Sequence, residues 1–111
     1  MALPSMGAKR RVVIIDDEPA FAETLTKIVK SFGFEVTVST DARSSYAFAL
    51  ESTDIVFVDV LMPNVSGLQV LEKLAQQKTR SSIVLMSGHL ERLDEAEKLA
   101  RKLDLNLVGS L

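Results

Sequence analysis

The sequence predicts an α/β fold: a doubly wound, parallel sheet of five strands. Three observations predict it. Short apolar runs rich in β-branched residues recur along the chain, continuous rather than alternating, as in strands covered on both faces. Between the runs, apolar residues return at helical spacing. Each helix-length segment separates consecutive strands, the arrangement that right-handed crossovers turn into an open parallel sheet.

The elements follow in order. Val12-Val13-Ile14-Ile15 is the first strand, and it ends in Asp16-Asp17. Glu18-Pro19 opens a helix, since proline suits a first helical turn. Phe21, Leu25, Ile28, Val29 and Phe32 mark its apolar side, and Gly33 stops it. Val36-Thr37-Val38 is the second strand. Asp41 caps a second helix with Ala42, Tyr46, Ala49 and Leu50 on one side. Asp54 to Asp59 is the third strand, apolar between two acids. Met62-Pro63-Asn64 breaks the chain, and Ser66 caps a third helix carrying Leu68, Leu71, Leu74 and Ala75. Ile83 to Met86 is the fourth strand, closed by Ser87-Gly88. Leu90, Leu93, Ala96, Leu99, Ala100 and Leu103 form the last helical stripe, and Leu105 to Val108 the fifth strand. A further helix would normally follow and shield one sheet face. The expectation is therefore one domain over 11–111, incomplete at its C-terminus, after a disordered lead-in or tag at 1–10.

Composition narrows the chemistry. The 111 residues hold 13 Lys plus Arg against 15 Asp plus Glu, a formal charge of -2. Apolar residues at 47% and charged ones at 25% are ordinary for a soluble globular protein. With no cysteine, disulfides, zinc ribbons and thiol catalysis are excluded; with one histidine, His89, so is a multi-histidine metal site. The mild acidity argues against direct nucleic-acid binding. No stretch approaches the roughly 18 apolar residues of a membrane helix, and a secretory core is lacking, so no membrane is expected and the location is read as cytoplasmic.

In an open parallel sheet, ligands sit at the carboxyl ends of the strands. Here the first strand ends in Asp16-Asp17, the third in Asp59 and the fourth in Ser87. If those strands are neighbours, three carboxylates crowd together and need compensation. Hard oxygen ligands without His or Cys favour Mg2+, which would hold a phosphoryl group against the same cluster. Asp59 could then act as a nucleophile and the Ser87 hydroxyl as a donor to a phosphoryl oxygen. The bland alternative, acids as helix caps or solvated strand ends, explains single residues but not three at neighbouring strand ends. Gly67 reads as permitting a close approach at a helix start, and Pro63 as a rigid loop residue. His89 is expected exposed at the start of the last helix. Tyr46, Phe21, Phe32, Phe34, Phe48 and Phe57 are expected to serve packing, and the charges from Glu91 to Lys102 to form a solvated face.

These residues resemble the receiver domain of bacterial two-component response regulators. The matching pieces are Ile14-Ile15-Asp16-Asp17-Glu18-Pro19, then Phe57-Val58-Asp59-Val60-Leu61-Met62-Pro63 with Gly67, then Leu85-Met86-Ser87-Gly88. They lie 42 residues apart from Asp17 to Asp59 and 28 from Asp59 to Ser87. The resemblance implies the flavodoxin-like strand order 2-1-3-4-5. It implies that Asp59 is the phospho-acceptor, that Asp16, Asp17, Asp59 and the backbone carbonyl of Leu61 hold Mg2+, and that Ser87 is the switch hydroxyl. The implied donor is a phosphohistidine on a sensor histidine kinase or histidine phosphotransfer protein. The implied recipient is an output domain or effector protein, with any separate enzymatic activity lying in that domain, and the charged face of the last helix is a candidate homodimer surface. Two features depart from the pattern. No Lys-Pro follows Ser87, and Lys98 and Lys102 sit in the last helical stripe rather than after the fifth strand; an aromatic residue on that strand is also missing. A truncated or degenerate receiver that binds partners without phosphate is therefore the alternative.

Two other classes fit less well. A haloacid-dehalogenase-like phosphohydrolase wants a second acid two residues after the nucleophile, where Leu61 stands. A flavodoxin-like FMN binder wants a Gly- and hydroxyl-rich loop where Asp16-Asp17-Glu18 stands, and no Gly-rich dinucleotide loop or P-loop occurs.

Overall fold

The computed structural model describes residues 10–40, 53–62 and 67–111. Five strands form one parallel sheet: β1 (Arg11–Ile15), β2 (Glu35–Ser39), β3 (Ile55–Asp59), β4 (Ser82–Met86) and β5 (Asn106–Ser110). Their order is β2-β1-β3-β4-β5, as the resemblance implies. Among the described residues three helices accompany them: α1 (Pro19–Ser31), α2 (Gly67–Gln76) and α3 (Leu90–Lys102). The helix expected after Asp41, with Tyr46 and Phe48, lies outside the described residues, as do the Ser66 cap and the lead-in at 1–9. β5 is the last element among the described residues.

Strand alternation sorts the core into two layers. Val13, Ile15, Val56, Val58, Ile83 and Leu85 point to the face covered by α2 and α3, and pack with Val70, Leu71, Leu74, Ala96 and Ala100. Val12 and Ile14 point the other way, onto Ala22, Leu25 and Val29 of α1. The apolar side of α1 therefore differs from the expected one. Leu25 and Val29 are buried, but Phe21, Ile28 and Phe32 are exposed, and Ala22 takes the remaining inward position. Phe21, Ile28 and Phe32 flank the buried line, one helical step round from Ala22 and Val29.

Local signals set the helix ends. Pro19 occupies the first turn of α1, and Gly33 ends it with φ of +92°, a left-handed conformation that glycine adopts freely. α2 is closed by a left-handed Lys78 at φ +56°, whose N–H donates to the Ala75 carbonyl. His89 stands exposed at the N-cap of α3, as expected.

The fifth strand is shifted relative to the sequence expectation. Leu105 belongs to the turn, its N–H bound to the Ala100 carbonyl, and pairing runs on to Ser110. Ile83 pairs with Leu107 but Val84 with Gly109, so Val108 is an extra residue, a bulge, and is exposed. One charge of α3 also departs from the expected solvated face: the Glu97 carboxylate is partly buried and accepts the Ser110 hydroxyl at 2.8 Å.

Candidate functional site

β1, β3 and β4 are neighbours, so their carboxyl ends meet. Asp16 follows the last residue of β1 and is buried, 3% exposed. Its backbone N–H donates to the Ser39 carbonyl of β2 at 3.1 Å, extending the β1–β2 ladder. Its Oδ1 accepts the Glu18 N–H at 2.9 Å, which folds the chain sharply into α1. Asp59 is the last residue of β3, and its Oδ1 accepts the Leu61 N–H at 3.0 Å. Asp17 stands half-buried beside them. One carboxylate oxygen from each of Asp16, Asp17 and Asp59 lies within 4.8 Å of the others.

This crowding has an electrostatic consequence. The Asp59 carboxyl is pushed up from its ordinary 3.8 to about 7. Burial contributes most; a hydrogen bond with Asp16 and repulsion from Asp16 and Asp17 push the same way, against the Leu61 N–H. Crowded carboxylates, with no cation facing them among the described residues, are a place where a divalent ion would be welcome, and the donors are all hard oxygens. The residues present fit magnesium.

Gly67 sets how closely α2 approaches the end of β3. It begins α2, and its N–H donates to the Val60 carbonyl at 3.2 Å. A Cβ there would stand 2.6 Å from the Val60 Cα and 2.8 Å from the Asp59 carbonyl oxygen. Glycine lets the helix start against the strand that carries Asp59, the close approach its position in the sequence suggested.

Asp16 and Asp59 line an open cavity of about 360 Å³, together with Glu18, Phe21, Met86, Ser87, Gly88 and Leu111. Ser87 thus faces the same cavity as Asp59. Its hydroxyl is engaged locally, accepting the His89 N–H at 3.0 Å and donating to the His89 carbonyl at 3.3 Å. Leu111 arrives because the ladder continues past β5: its N–H donates to the Leu85 carbonyl at 2.7 Å, and the Leu111 carbonyl accepts the Ser87 N–H at 3.3 Å. Leu61 is exposed beside the acids. No lysine or arginine lines the cavity among the described residues; Lys98 and Lys102 stay on α3. Sequence reading gave no site role to Glu18, Phe21 or Leu111. Glu18 continues the acidic run and was within reach of that signal, whereas Phe21 and Leu111 enter the cavity only through tertiary structure.

A family model described as "Response regulator receiver domain" matches residues 12–107. The chain belongs to this family. Receiver domains of this kind serve bacterial two-component signalling, bind Mg2+ at an acidic pocket and communicate with sensor kinases and output effectors. The receiver is 34% identical over 86 residues to the transcriptional regulatory protein FixJ of Bradyrhizobium diazoefficiens, covering 76% of this chain and 42% of FixJ. It is 30% identical over 87 residues to the regulatory protein AtoC of Escherichia coli, covering 78% of this chain but 19% of AtoC. The match thus spans less than half the length of these curated relatives. Among solved structures, a response regulator from Colwellia psychrerythraea superposes with a TM-score of 0.84 at 31% identity, over 94% of this chain and 84% of that one. No helix among the described residues is long and apolar enough to cross a membrane.

Proposed function

We propose that this receiver accepts a phosphoryl group on Asp59 from a phosphohistidine and thereby switches an output domain or effector. The reading is supported above all by three carboxylate oxygens within 4.8 Å at the ends of adjacent parallel strands. Asp16, Asp17, Asp59 and the Leu61 carbonyl would hold Mg2+, which supplies charge neutralisation to a phosphoryl group when bound. An Asp59 carboxylate oxygen forms a bond to phosphorus as the phosphorus–nitrogen bond of the donor imidazole breaks, and the imidazole departs with the bonding electrons. The Leu61 N–H, donating to the Asp59 Oδ1, fixes the carboxylate for that approach. The Ser87 hydroxyl must leave the His89 backbone before it can donate to the new phosphoryl group, a rearrangement suited to a switch. The donor is a sensor histidine kinase or histidine phosphotransfer protein, and the working unit runs over 11–111. The domain itself carries no further enzymatic activity in this reading.

A second reading has an observation of its own. No cation faces the cavity among the described residues, and Ser87 is already satisfied by His89. Both suit a receiver that binds its partner without phosphate.

Incubation with a small phosphodonor and Mg2+, followed by intact mass measurement, separates the two. The first reading expects a gain of one base-labile phosphoryl group, absent from Asp59→Asn. Clean Mg2+ binding with no gain in mass would leave the second.

A further inference from the structure

A second groove, of about 570 Å³, opens at the amino ends of the strands. It lies between the chain entering β1, the start of β3 and the turn from α2 into β4. Arg10, Lys78 and Arg80 line it, with one carboxylate, Asp54. None of these three cations makes an ion pair among the described residues. Lys27, Arg92 and Lys98 on the helices, by contrast, are each matched by an acid. One Asp54 oxygen is already occupied, accepting the Arg11 N–H at 2.8 Å. Among the described residues, the groove thus presents three cations to one carboxylate.

The turn that presents Lys78 and Arg80 is held firmly. Ser81 is buried, and its hydroxyl donates to the Thr53 carbonyl at 2.6 Å. Its N–H donates to the Thr79 hydroxyl at 3.2 Å, and that hydroxyl donates to the Ser81 oxygen at 3.1 Å. On the other side, the Thr79 N–H reaches the Leu74 carbonyl at 3.2 Å. Lys78 itself sits in a left-handed conformation, where glycine is the common occupant and lysine is costly. A donor set carried on a pre-ordered turn loses little entropy when a ligand arrives.

We propose that this groove binds the phosphate group of a small phosphorylated molecule. Two arginine forks and a lysine point charge are the donor chemistry that phosphate takes best. The volume lies within the range of small-molecule sites. The lining is polar and concave rather than apolar and flat, which favours a small ligand over a protein surface. Strands of five residues put this groove roughly 15 Å from the acids, so its occupancy is separate from the chemistry proposed for Asp59.

The test is a backbone-amide NMR titration of the 111-residue chain at low ionic strength without Mg2+, one arm with pyrophosphate and one with adenosine monophosphate. Saturable shifts centred on residues 78–81, with a dissociation constant near 1 mM or below, are expected. The tighter arm distinguishes a free diphosphate from a phosphate ester. Lys78→Gly and Arg80→Ala should each weaken binding at least about fivefold. Lys98→Ala, which removes a cation elsewhere, should leave it unchanged. The same spectra report whether each variant is folded. No saturation up to about 20 mM, shifts centred on Asp16 and Asp59, or equal weakening by Lys98→Ala would overturn the site.

Discussion

At the scale of single residues, two positions sit in costly states. The Asp59 carboxyl titrates near 7 in the folded protein and near 3.8 when free of it. Between those values the folded state holds more protons than the unfolded state, so stability falls as pH rises from about 4 to about 7. Above that window the cost of the ionised group is fully present. Asp59→Asn removes the charge while keeping the shape. It should stabilise the metal-free domain by about 1–2 kcal/mol at pH 8, a figure reduced for solvent screening of a half-buried group, and should do nothing at pH 4. Denaturant melts at the two pH values check this, and equal gains at both would refute it. The second position is Lys78. Left-handed backbone costs a non-glycine residue about 1–2 kcal/mol, while glycine gives back about 0.5–1 kcal/mol through the greater freedom of its unfolded chain. The first effect is larger, so Lys78→Gly should raise thermal stability by up to about 1 kcal/mol even as it weakens anion binding. Asp104, also left-handed at φ +61°, is a residue type that tolerates this conformation better, and Asp104→Gly should gain less.

At the scale of elements, the contact between α2 and β3 is the tightest constraint near the site. Alanine favours helix interiors over glycine by about 1 kcal/mol, yet a Cβ at Gly67 would meet Val60 and Asp59 backbone atoms at 2.6–2.8 Å. Backbone cannot swing aside as a flexible side chain can. Gly67→Ala should therefore destabilise by about 2 kcal/mol and displace Asp59, lowering phosphorylation in the mass assay more than the stability loss alone explains. Most elements were legible in the sequence because each carries its own period and punctuation: the apolar run Val12–Ile15, the Pro19 start, the Gly33 stop. The three acids were legible for a related reason, since strand ends in a parallel sheet converge. What was not legible depended on register or on neighbours. β5 begins one residue later and ends two residues later than expected, because pairing with β4 through the bulge at Val108, rather than local propensity, decides where Gly109 and Ser110 sit. On α1, spacing alone could not say whether the line through Ala22 or the line through Phe21 faces the sheet. Ser87 was identified by position, but its attachment to His89 depends on a turn geometry that no periodicity encodes.

For the whole molecule, the described residues gather three acids at the carboxyl ends of the strands, and Arg10, Lys78 and Arg80 with Asp54 in the groove at the amino ends. The acidic end is unstable toward its own repulsion, and a divalent cation is the natural relief. Stabilisation by a ligand that binds only the folded state is about 2.7 kcal/mol at a hundred times its dissociation constant, on the order of 10 °C in melting temperature for a domain this small. The size of that gain must depend on pH, because protons and metal compete for Asp59. At pH 8 the carboxylates are ionised and Mg2+ replaces repulsion with attraction; at pH 5 Asp59 holds a proton that Mg2+ must first expel. Mg2+ should therefore raise the melting temperature several degrees more at pH 8 than at pH 5. Sodium chloride at matched ionic strength only screens the exposed part of the repulsion, so it should reproduce a small fraction of the effect. Thermal melts in the two salts at the two pH values measure this directly. A Mg2+ gain equal at both pH values, or one that sodium matches, would mean that the three acids do not act together on one ion.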